Sequence, residues 1–200
     1  MGRSDPHIFY FYKQNIKPKG DVALLGFSSN QLFAGDLYDL SLGNWEINSD
    51  WQLAKKYDTI ISTRCPYFSK DPEDFIKRCH TSLNKNGRIY ADWGLGDHWR
   101  FPNYKIGWVK DGEHEHAYEN DNFLWSALWD PSFSLSEEFK KFSDSVAKLG
   151  YPNTAKAIQD EVPKLLSLDF VKKYFDCEIK FLFLWPDSPQ LYTLIEGIKK

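Results

Sequence analysis

The alternation of apolar and polar positions is most regular between residues 57 and 93. Residues 57–61 form a short apolar, β-branched run without a helical period, which predicts a buried strand. Within 72–83, apolar residues recur every three or four positions, which predicts an amphipathic helix. Residues 88–91 predict a second strand. The segment is therefore a strand–helix–strand unit, and such units form parallel sheets with right-handed crossovers.

Capping residues support the bounds of this predicted helix. Asp71 or Ser69 can cap its start, and Pro72 lies at or near the first helical position. Asn86 and Gly87 then supply a left-handed stop before the second strand. Each boundary of the unit thus has a chemical cause that is visible in the sequence.

The remaining segments predict further elements around this unit. An aromatic run at 7–12 predicts either a strand or a short helix, and an apolar strand over 21–26 ends in a glycine. The other predicted elements are helices over 134–149, 154–168 and 169–175, and an antiparallel pair of strands over 177–185 and 191–198. Together they indicate one α/β domain, 1–200, with a helical insertion at 94–168.

Composition places the chain among ordinary globular proteins. It has 200 residues, 42% hydrophobic and 26% charged, enough for a sizeable core. A net charge of −3 gives no strong signal for nucleic acid. Three widely separated cysteines predict reduced thiols and a cytoplasmic protein. No apolar run reaches membrane-spanning length and no secretory signal opens the chain, so we expect no membrane partner; the oligomeric state stays open.

The strand–helix–strand unit resembles the fourth strand, fourth helix and fifth strand of class I S-adenosylmethionine-dependent methyltransferases. The residues that carry the resemblance are Tyr57-Asp58, Asp71-Pro72 and the stretch from Leu83 to Gly87. The terminal hairpin is similar to the sixth and seventh strands of that family, so the resemblance covers roughly 16–93 and 169–198. It implies a Rossmann-like sandwich with a mostly parallel sheet, a C-terminal antiparallel hairpin and S-adenosylmethionine as cofactor.

The family's glycine-rich cofactor loop has two alternative alignments in this chain. Under one, 21–26 is the first strand, Gly26 is the first loop glycine, and Ser28 and Asn30 replace the next two. The Cβ of Ser28 then crowds the closest approach of the backbone to the cofactor, which implies weak binding. Under the other, 22–27 and 31–34 are the second and third strands, and the loop is absent.

The length of the chain before residue 57 bears on both alignments. Residues 27–56 are too few for two complete strand–helix units, since each takes roughly 30 residues. At least one unit of the family fold is therefore missing or shortened on the N-terminal side.

The resemblance also implies a set of cofactor contacts. Gly26 and Ser28 lie in the implied loop, and Asp36, Asp39 or Glu46 can hold a ribose or an adenine. Arg64, which follows the strand predicted over 57–61, completes this set of candidates. The acids have an alternative interpretation as loop carboxylates that form turns or helix caps.

Residues 92–133 are the predicted substrate region because ligands bind beyond the carboxyl ends of parallel strands. Asp92, His98 and His114 are the candidates for removing a proton from the methyl acceptor. The spacing of His114 and His116 also suits a transition metal, but the charged, turn-flanked segment favours a solvated or substrate-contacting loop. No metal site is predicted.

Two functions are compatible with these features. The first is methyl transfer from S-adenosylmethionine to a small molecule, a sugar or a protein group. The alternative is a catalytically inactive protein of the same fold that binds a ligand or a partner. The altered glycine loop favours the alternative, whereas the intact unit at 57–93 and the loop that begins at Asp92 favour a working site.

Overall fold

The computed structural model describes residues 5–66, 69, 71–94, 144, 147–148, 169–184 and 190–200. The described helices are α1 (Asp5–Asn15), α2 (Pro72–Ser82) and α3 (Asp169–Lys172), with a 3₁₀ turn over Leu40–Leu42. The strands are β1 (Val22–Leu25), β2 (Asp36–Tyr38), β3 (Tyr57–Ser62), β4 (Leu83–Gly94), β5 (Phe175–Leu184) and β6 (Gln190–Lys199). Within these ranges, no helix has the length and apolar character that a membrane span requires.

The strands form one sheet of six in the order β2-β1-β3-β4-β6-β5. β1 pairs in parallel with both β2 and β3, and β3 pairs in parallel with β4. Ile60 on β3 lies opposite Ile89 on β4, with α2 as the crossover between them. The prediction of adjacent parallel strands joined by a helix over 72–83 is confirmed, and so is the α/β, Rossmann-like class of the fold.

β5 and β6 are neighbours in the sheet and are separated in the chain by residues 185–189 alone. A parallel crossover needs about a dozen residues or more, so this pair can only run antiparallel. The predicted C-terminal hairpin is therefore confirmed. β6, rather than β5, is the strand next to β4.

Several predicted bounds need correction. The aromatic run at 7–12 belongs to helix α1 and is not a strand. Residues 31–34 form no strand, so the alignment that makes them the third strand is wrong. The left-handed residue Asn86 (φ 60°) lies beyond the end of α2, because the helix is already capped at Leu83, which is extended. The helix predicted over 169–175 ends at Lys172, since Phe175 begins β5.

The chain divides into two compact units. The first comprises Met1–Trp93, Asp169–Lys180 and Leu194–Lys200, and the second comprises Gly94–Leu168 and Phe181–Thr193. The helices predicted over 134–149 and 154–168 fall on residues outside those that the structure describes. The single domain with an insertion at 94–168 stays a prediction.

Helix α1 and the segment after it cover one face of the sheet. By register, Thr59 and Ile61 on β3 lie level with Arg88 and Tyr90 on β4, so these four side chains share a face. The hydroxyl of Thr59 donates to the Lys19 carbonyl at 2.8 Å. Tyr90 Oη lies 3.3 Å from the Lys17 carbonyl, to which it donates. The segment that leads from α1 into β1 therefore packs on this face of the sheet.

Helix α2 is anchored by its apolar stripe and by both of its ends. The Asp71 carboxylate accepts from the backbone N–H of Asp74 at 2.9 Å, which caps the N-terminus. Phe75, Ile76 and Cys79 are at most 1% exposed, as the predicted stripe requires. At the other end Lys199 Nζ donates to the carbonyls of His80 and Leu83 at 2.7 and 2.8 Å. A cation at a helix C-terminus is favourable because the last carbonyls lack partners in the helix.

A carboxylate on β6 ties three neighbouring strands together. Glu196 accepts from Arg88 on β4 at 2.7 Å, from Tyr90 on the same strand at 3.0 Å, and from Lys180 on β5 at 3.3 Å. Burial acts to raise the pKa of Glu196, but the hydrogen bonds from Tyr90 and Lys180 and the charge of Lys180 outweigh it and lower that pKa. Glu196 is therefore a charged, largely buried link across the sheet.

Candidate active site

The sheet has a topological switch point between β1 and β3. The chain leaves β1 to form β2 on one side and returns to form β3 on the other side. In open parallel sheets, ligands bind in the crevice outside the carboxyl ends of the strands at such a point. The candidate active site is therefore built from the residues that follow β1, β2 and β3 and from those near the carboxyl end of β4.

Three of these residues lie at one level across the sheet. Leu24, Ile61 and Tyr90 are paired in register, and continuing each strand by two residues reaches Gly26, Thr63 and Asp92. With neighbouring strands about 4.8 Å apart, the backbone of Gly26 is roughly 10 Å from that of Asp92. Thr63 is 7% exposed and Asp92 is fully buried, whereas Gly26 is partly exposed.

Gly26 has two structural reasons to be a glycine. Its φ of 78° is in the left-handed region, and a Cβ on it would lie 2.5 Å from the Sγ of Cys65. Its N–H donates to the Tyr38 carbonyl at 2.7 Å, which draws the end of β1 towards β2. The sequence predicted a glycine that makes room for a ligand, but the group that occupies this side of Gly26 is the Cys65 side chain.

The end of β3 carries the second unusual backbone conformation. Arg64 has a φ of 54°, which is costly for a residue with a Cβ. Non-glycine residues in this region cluster at functional sites, where the surrounding structure holds them in place. Gly26 and Arg64 therefore mark the turns on the two sides of the switch point.

Cys65 is a neutral thiol and not a nucleophile. Burial raises its pKa to about 12, and the nearby charges of Asp39 and Glu46 add to this, while a hydrogen bond with Ser62 opposes it. Both carboxylates therefore act electrostatically on Cys65, the residue that packs against Gly26.

The structure separates the predicted cofactor residues into two groups. Asp39 directly follows β2 and caps the 3₁₀ turn by accepting from the Ser41 N–H at 2.8 Å. Asp36 is the first residue of β2, where its carboxylate accepts a hydrogen bond from Tyr57 Oη at 2.8 Å. It therefore lies at the amino ends of the parallel strands, away from the candidate site. Ser28 is exposed in the link after Gly26. The structure thus brings Gly26, Arg64 and Asp39 together and leaves Asp36 apart.

Asp92 is the one predicted catalytic residue that the structure describes. It lies near the carboxyl end of β4, is fully buried, and its carboxylate accepts a hydrogen bond from the hydroxyl of Tyr12 in α1. Such a donor offsets the cost of burying a carboxylate. His98 and His114 lie outside the described residues. Among the residues that are described, no three His, Cys, Asp or Glu side chains cluster as a metal would require.

Two contributors to this site were not recognised from the sequence. Tyr12 lies in an aromatic run whose period gives no sign of a polar role, so only the fold reveals its contact with Asp92. The sequence gives no sign of a contact between Cys65 and Gly26, because that contact depends on the pairing of β1 with β3. Neither contact joins residues that are near in sequence.

No protein-family model and no curated protein matches this chain. Solved structures to which it is similar include S-adenosylmethionine-dependent methyltransferases. One, from Mesorhizobium loti, is 14% identical with a TM-score of 0.48, covering 99% of each chain. The N-methyltransferase NodS from Bradyrhizobium japonicum, solved with S-adenosylhomocysteine, is 9% identical with a TM-score of 0.47, covering 98% of this chain and 86% of NodS. A possible histamine N-methyltransferase from Thermotoga maritima is 14% identical with a TM-score of 0.45, covering 96% and 87%.

Proposed function

We propose that this chain is an S-adenosylmethionine-dependent methyltransferase that acts on a small molecule, a sugar or a protein group. The observation that carries the proposal is the position of Gly26, Asp39 and Asp92 at the carboxyl ends of β1, β2 and β4, on the two sides of the switch point between β1 and β3. The proposed groups are a turn with a left-handed glycine, an acid directly after the second strand and a buried acid near the carboxyl end of the fourth.

The carboxylates of Asp39 and Asp92 suit a ligand with hydroxyl groups and a positive charge. Under the proposal, the Asp39 carboxylate accepts hydrogen bonds from the ribose of S-adenosylmethionine, and Gly26 and Arg64 form the turns that flank it. When bound, S-adenosylmethionine supplies an electrophilic methyl group. The tasks left to the protein are to align the methyl acceptor and to take up its proton.

Asp92 is the group proposed to take up that proton. It lies at the level of Gly26, on the far side of Thr63. His98 and His114 remain proposed alternatives for the same task, from the segment that follows β4.

Titration calorimetry with S-adenosylhomocysteine tests the cofactor site. We expect measurable binding by the unmodified protein and a loss of about 10- to 100-fold in affinity for Asp39→Asn, the range for a hydrogen bond to a charged group. The matched control is Asp36→Asn, because Asp36 begins β2 at the amino end of the sheet, whereas Asp39 follows β2 at the carboxyl end. Equal losses in both variants would contradict the proposed site.

The alternative function is that of a protein with this fold that binds a different ligand or a partner without catalysis. It is favoured by the link over 26–35, which joins β1 to β2 without a helix. An absence of heat at millimolar S-adenosylhomocysteine would favour this alternative. If binding is found, transfer of a labelled methyl group to a panel of amine, hydroxyl and carboxyl acceptors then decides whether the chain is an enzyme.

A further inference from the structure

A side chain, and not a strand, closes the outer edge of β2. β2 is the outermost strand of the sheet in the described part of the chain, and residues 39–56, which lead from it to β3, contain no strand. An edge of this kind presents backbone N–H and C=O groups that need partners. The side-chain amide of Asn44 supplies both partners: Nδ2 donates to the Leu37 carbonyl at 2.8 Å, and Oδ1 accepts from the Asp39 N–H at 2.9 Å.

The two backbone groups that Asn44 binds point away from the sheet. The Tyr38 carbonyl, which lies between them in the chain, accepts from the Gly26 N–H at 2.7 Å and therefore faces the end of β1. Backbone groups alternate in direction along a strand, so the Leu37 carbonyl and the Asp39 N–H face the other side. The Asn44 amide thus donates and accepts where one residue of a neighbouring strand would do so.

We propose that Asn44 is a positioning residue for Asp39: by closing the edge of β2, it fixes the backbone from which the Asp39 carboxylate reaches the ligand. The proposal rests on the proposed function, in which Asp39 accepts hydrogen bonds from the ribose of S-adenosylmethionine. It deepens that function, because it assigns to the segment after β2 the task of orienting this acid before the ligand arrives.

The side chain of Asp39 is held by a different residue from its backbone. Its Oδ1 accepts from the Ser41 N–H at 2.8 Å and from the Ser41 hydroxyl, whereas Asn44 holds the Asp39 N–H. Together these bonds fix both the chain direction and the orientation of the carboxylate. Under the proposal the second carboxylate oxygen, Oδ2, accepts from the ribose.

A fixed acceptor binds more tightly than a mobile one, because the entropic cost of ordering it falls on folding and not on binding. Asn44 is exposed, so water competes for each of its hydrogen bonds and their contribution is that of an ordinary intramolecular bond. Loss of the Asn44 amide should therefore weaken ligand binding by about three- to tenfold, which is less than loss of the Asp39 carboxylate itself.

Calorimetry with S-adenosylhomocysteine on Asn44→Ala, Asp39→Asn and the double variant tests this role. We expect Asn44→Ala to lose about three- to tenfold in affinity when Asp39 is present, and less than about twofold when Asp39 has been replaced by Asn. The second loss is small because Asn44 acts through the Asp39 carboxylate. Equal losses in the two backgrounds would overturn the proposal.

The matched control is Asn84→Ala. The Asn84 side chain also forms a hydrogen bond, to Asp58 at 2.8 Å, but both residues lie at the amino ends of the strands. This variant should keep the original affinity. A loss as large as that of Asn44→Ala would contradict the proposal, because the effect would then follow from any lost asparagine contact.

Amide hydrogen exchange followed by nuclear magnetic resonance tests the positioning without a ligand. In Asn44→Ala the Asp39 N–H should exchange about three- to tenfold faster, while the Gly26 N–H, which bonds to the inner side of the same strand, keeps its rate. Asn44→Asp retains an acceptor oxygen for the Asp39 N–H and should keep the slow exchange.

Two exchange results would overturn the proposal. The first is an unchanged Asp39 rate in Asn44→Ala. The second is equal acceleration at Asp39 and Gly26, which would mean that Asn44 stabilises β2 as a whole and does not position Asp39. If S-adenosylhomocysteine does not bind the unmodified protein, the proposed function fails, and the exchange rates still decide whether Asn44 fixes the backbone of Asp39.

Discussion

The pairs β3–β4 and β1–β2 are both parallel, yet they are connected in different ways. The first pair is joined through α2, whose apolar stripe is at most 1% exposed. The second is joined by residues 26–35, which contain no helix and end in a strand of three residues. That link is held by a hydrogen bond from the Gly35 N–H to Asn30 at 3.1 Å and by an edge contact between Phe27 and Phe33.

The α2 crossover and the link over 26–35 therefore differ in how they contribute to stability. A crossover helix buries a continuous apolar stripe, so it contributes strongly to the free energy of unfolding. Substitutions on its exposed face change that contribution little. A short link buries little and depends on backbone conformation at single residues, of which Gly26 is one. The proposed cofactor residues Gly26 and Asp39 flank the short link and β2, and the proposed catalytic Asp92 lies at the end of the helix-supported unit.

Core truncation should separate the two regions most strongly. Phe75→Ala in α2 is expected to cost about 3–5 kcal/mol of unfolding free energy, because it leaves a cavity in a fully buried stripe. Phe33→Ala in the short link should cost only about 1–2 kcal/mol, since the loop can relax. Urea denaturation of both variants provides the measurement. Equal losses would mean that the short link is as much a part of the core as α2.

The backbone at Gly26 provides the next largest effect. Gly26→Ala should cost about 2–4 kcal/mol, from left-handed strain and from the contact with Cys65. Gly43→Ala is the matched control: its φ is 69°, but a Cβ there would meet no atom within 4 Å, so the strain acts alone. We expect about 1–2 kcal/mol for this control.

Adding Cys65→Gly to Gly26→Ala separates the two causes. In the Cys65→Gly background, Gly26→Ala should cost only the backbone strain, because both Cys65 atoms that crowd Gly26 are then absent. Thermal and urea unfolding of the two single variants and the double variant measure this coupling. Full additivity of the two single changes would show that the contact contributes nothing.

Acidification should weaken the link between β4 and β6. The pKa of Glu196 is lowered in the folded protein, so its contribution is complete above the unfolded-state pKa and is lost as pH falls through the lower folded-state value. Stability should therefore decrease below about pH 4.3. Glu196→Gln should cost about 1–3 kcal/mol at neutral pH and reduce this slope.

The exposed pair of Lys55 with Asp21 (3.0 Å) is the control in the other region. Lys55→Gln should leave the stability at neutral pH nearly unchanged, because water and salt screen an exposed ion pair. Chemical denaturation at a series of pH values compares the two variants. If Glu196→Gln loses stability with falling pH as steeply as the unmodified protein does, other carboxylates cause that loss.

Helix capping provides the smallest effect. Asp71→Ala removes the acceptor for the Asp74 N–H and should cost about 1 kcal/mol. Asp39→Ala removes the cap of a single 3₁₀ turn and should cost only a few tenths, roughly 0.5 kcal/mol or less. Thermal unfolding of the two variants gives the order of the two losses in stability. The reverse order would show that the short link depends on its cap more than α2 does.

The sequence predicted the parts of the fold in which local chemistry determines structure. Asp71, Pro72 and the apolar stripe each act over one or two turns of chain, so α2 and its flanking strands could be recognised from their own residues. α1 could not be assigned uniquely, since its aromatic run suits a strand or a helix, and its burial against the sheet decided the outcome.

The candidate site was predicted less completely, for a physical reason. Asp92 and Asp39 follow strands and could be proposed from position alone. The contacts of Tyr12 with Asp92, and of Cys65 with Gly26, join segments that only the pairing of strands brings together. The choice of Asp39 over Asp36 likewise depends on where β2 begins, which a three-residue strand does not signal in sequence.

The position of β6 between β4 and β5 also constrains the order in which the sheet assembles. β5 and β6 can close as a hairpin within about 1–10 μs because their connection is short. Joining that hairpin to β4 then brings together Arg88 and Glu196, which are 108 residues apart, and long-range pairing of this kind is slow. Until this happens, β4 presents unpaired backbone groups along one edge, which other chains can pair with. Refolding yield should therefore fall with protein concentration, and variants that weaken the Glu196 contacts should lose the most.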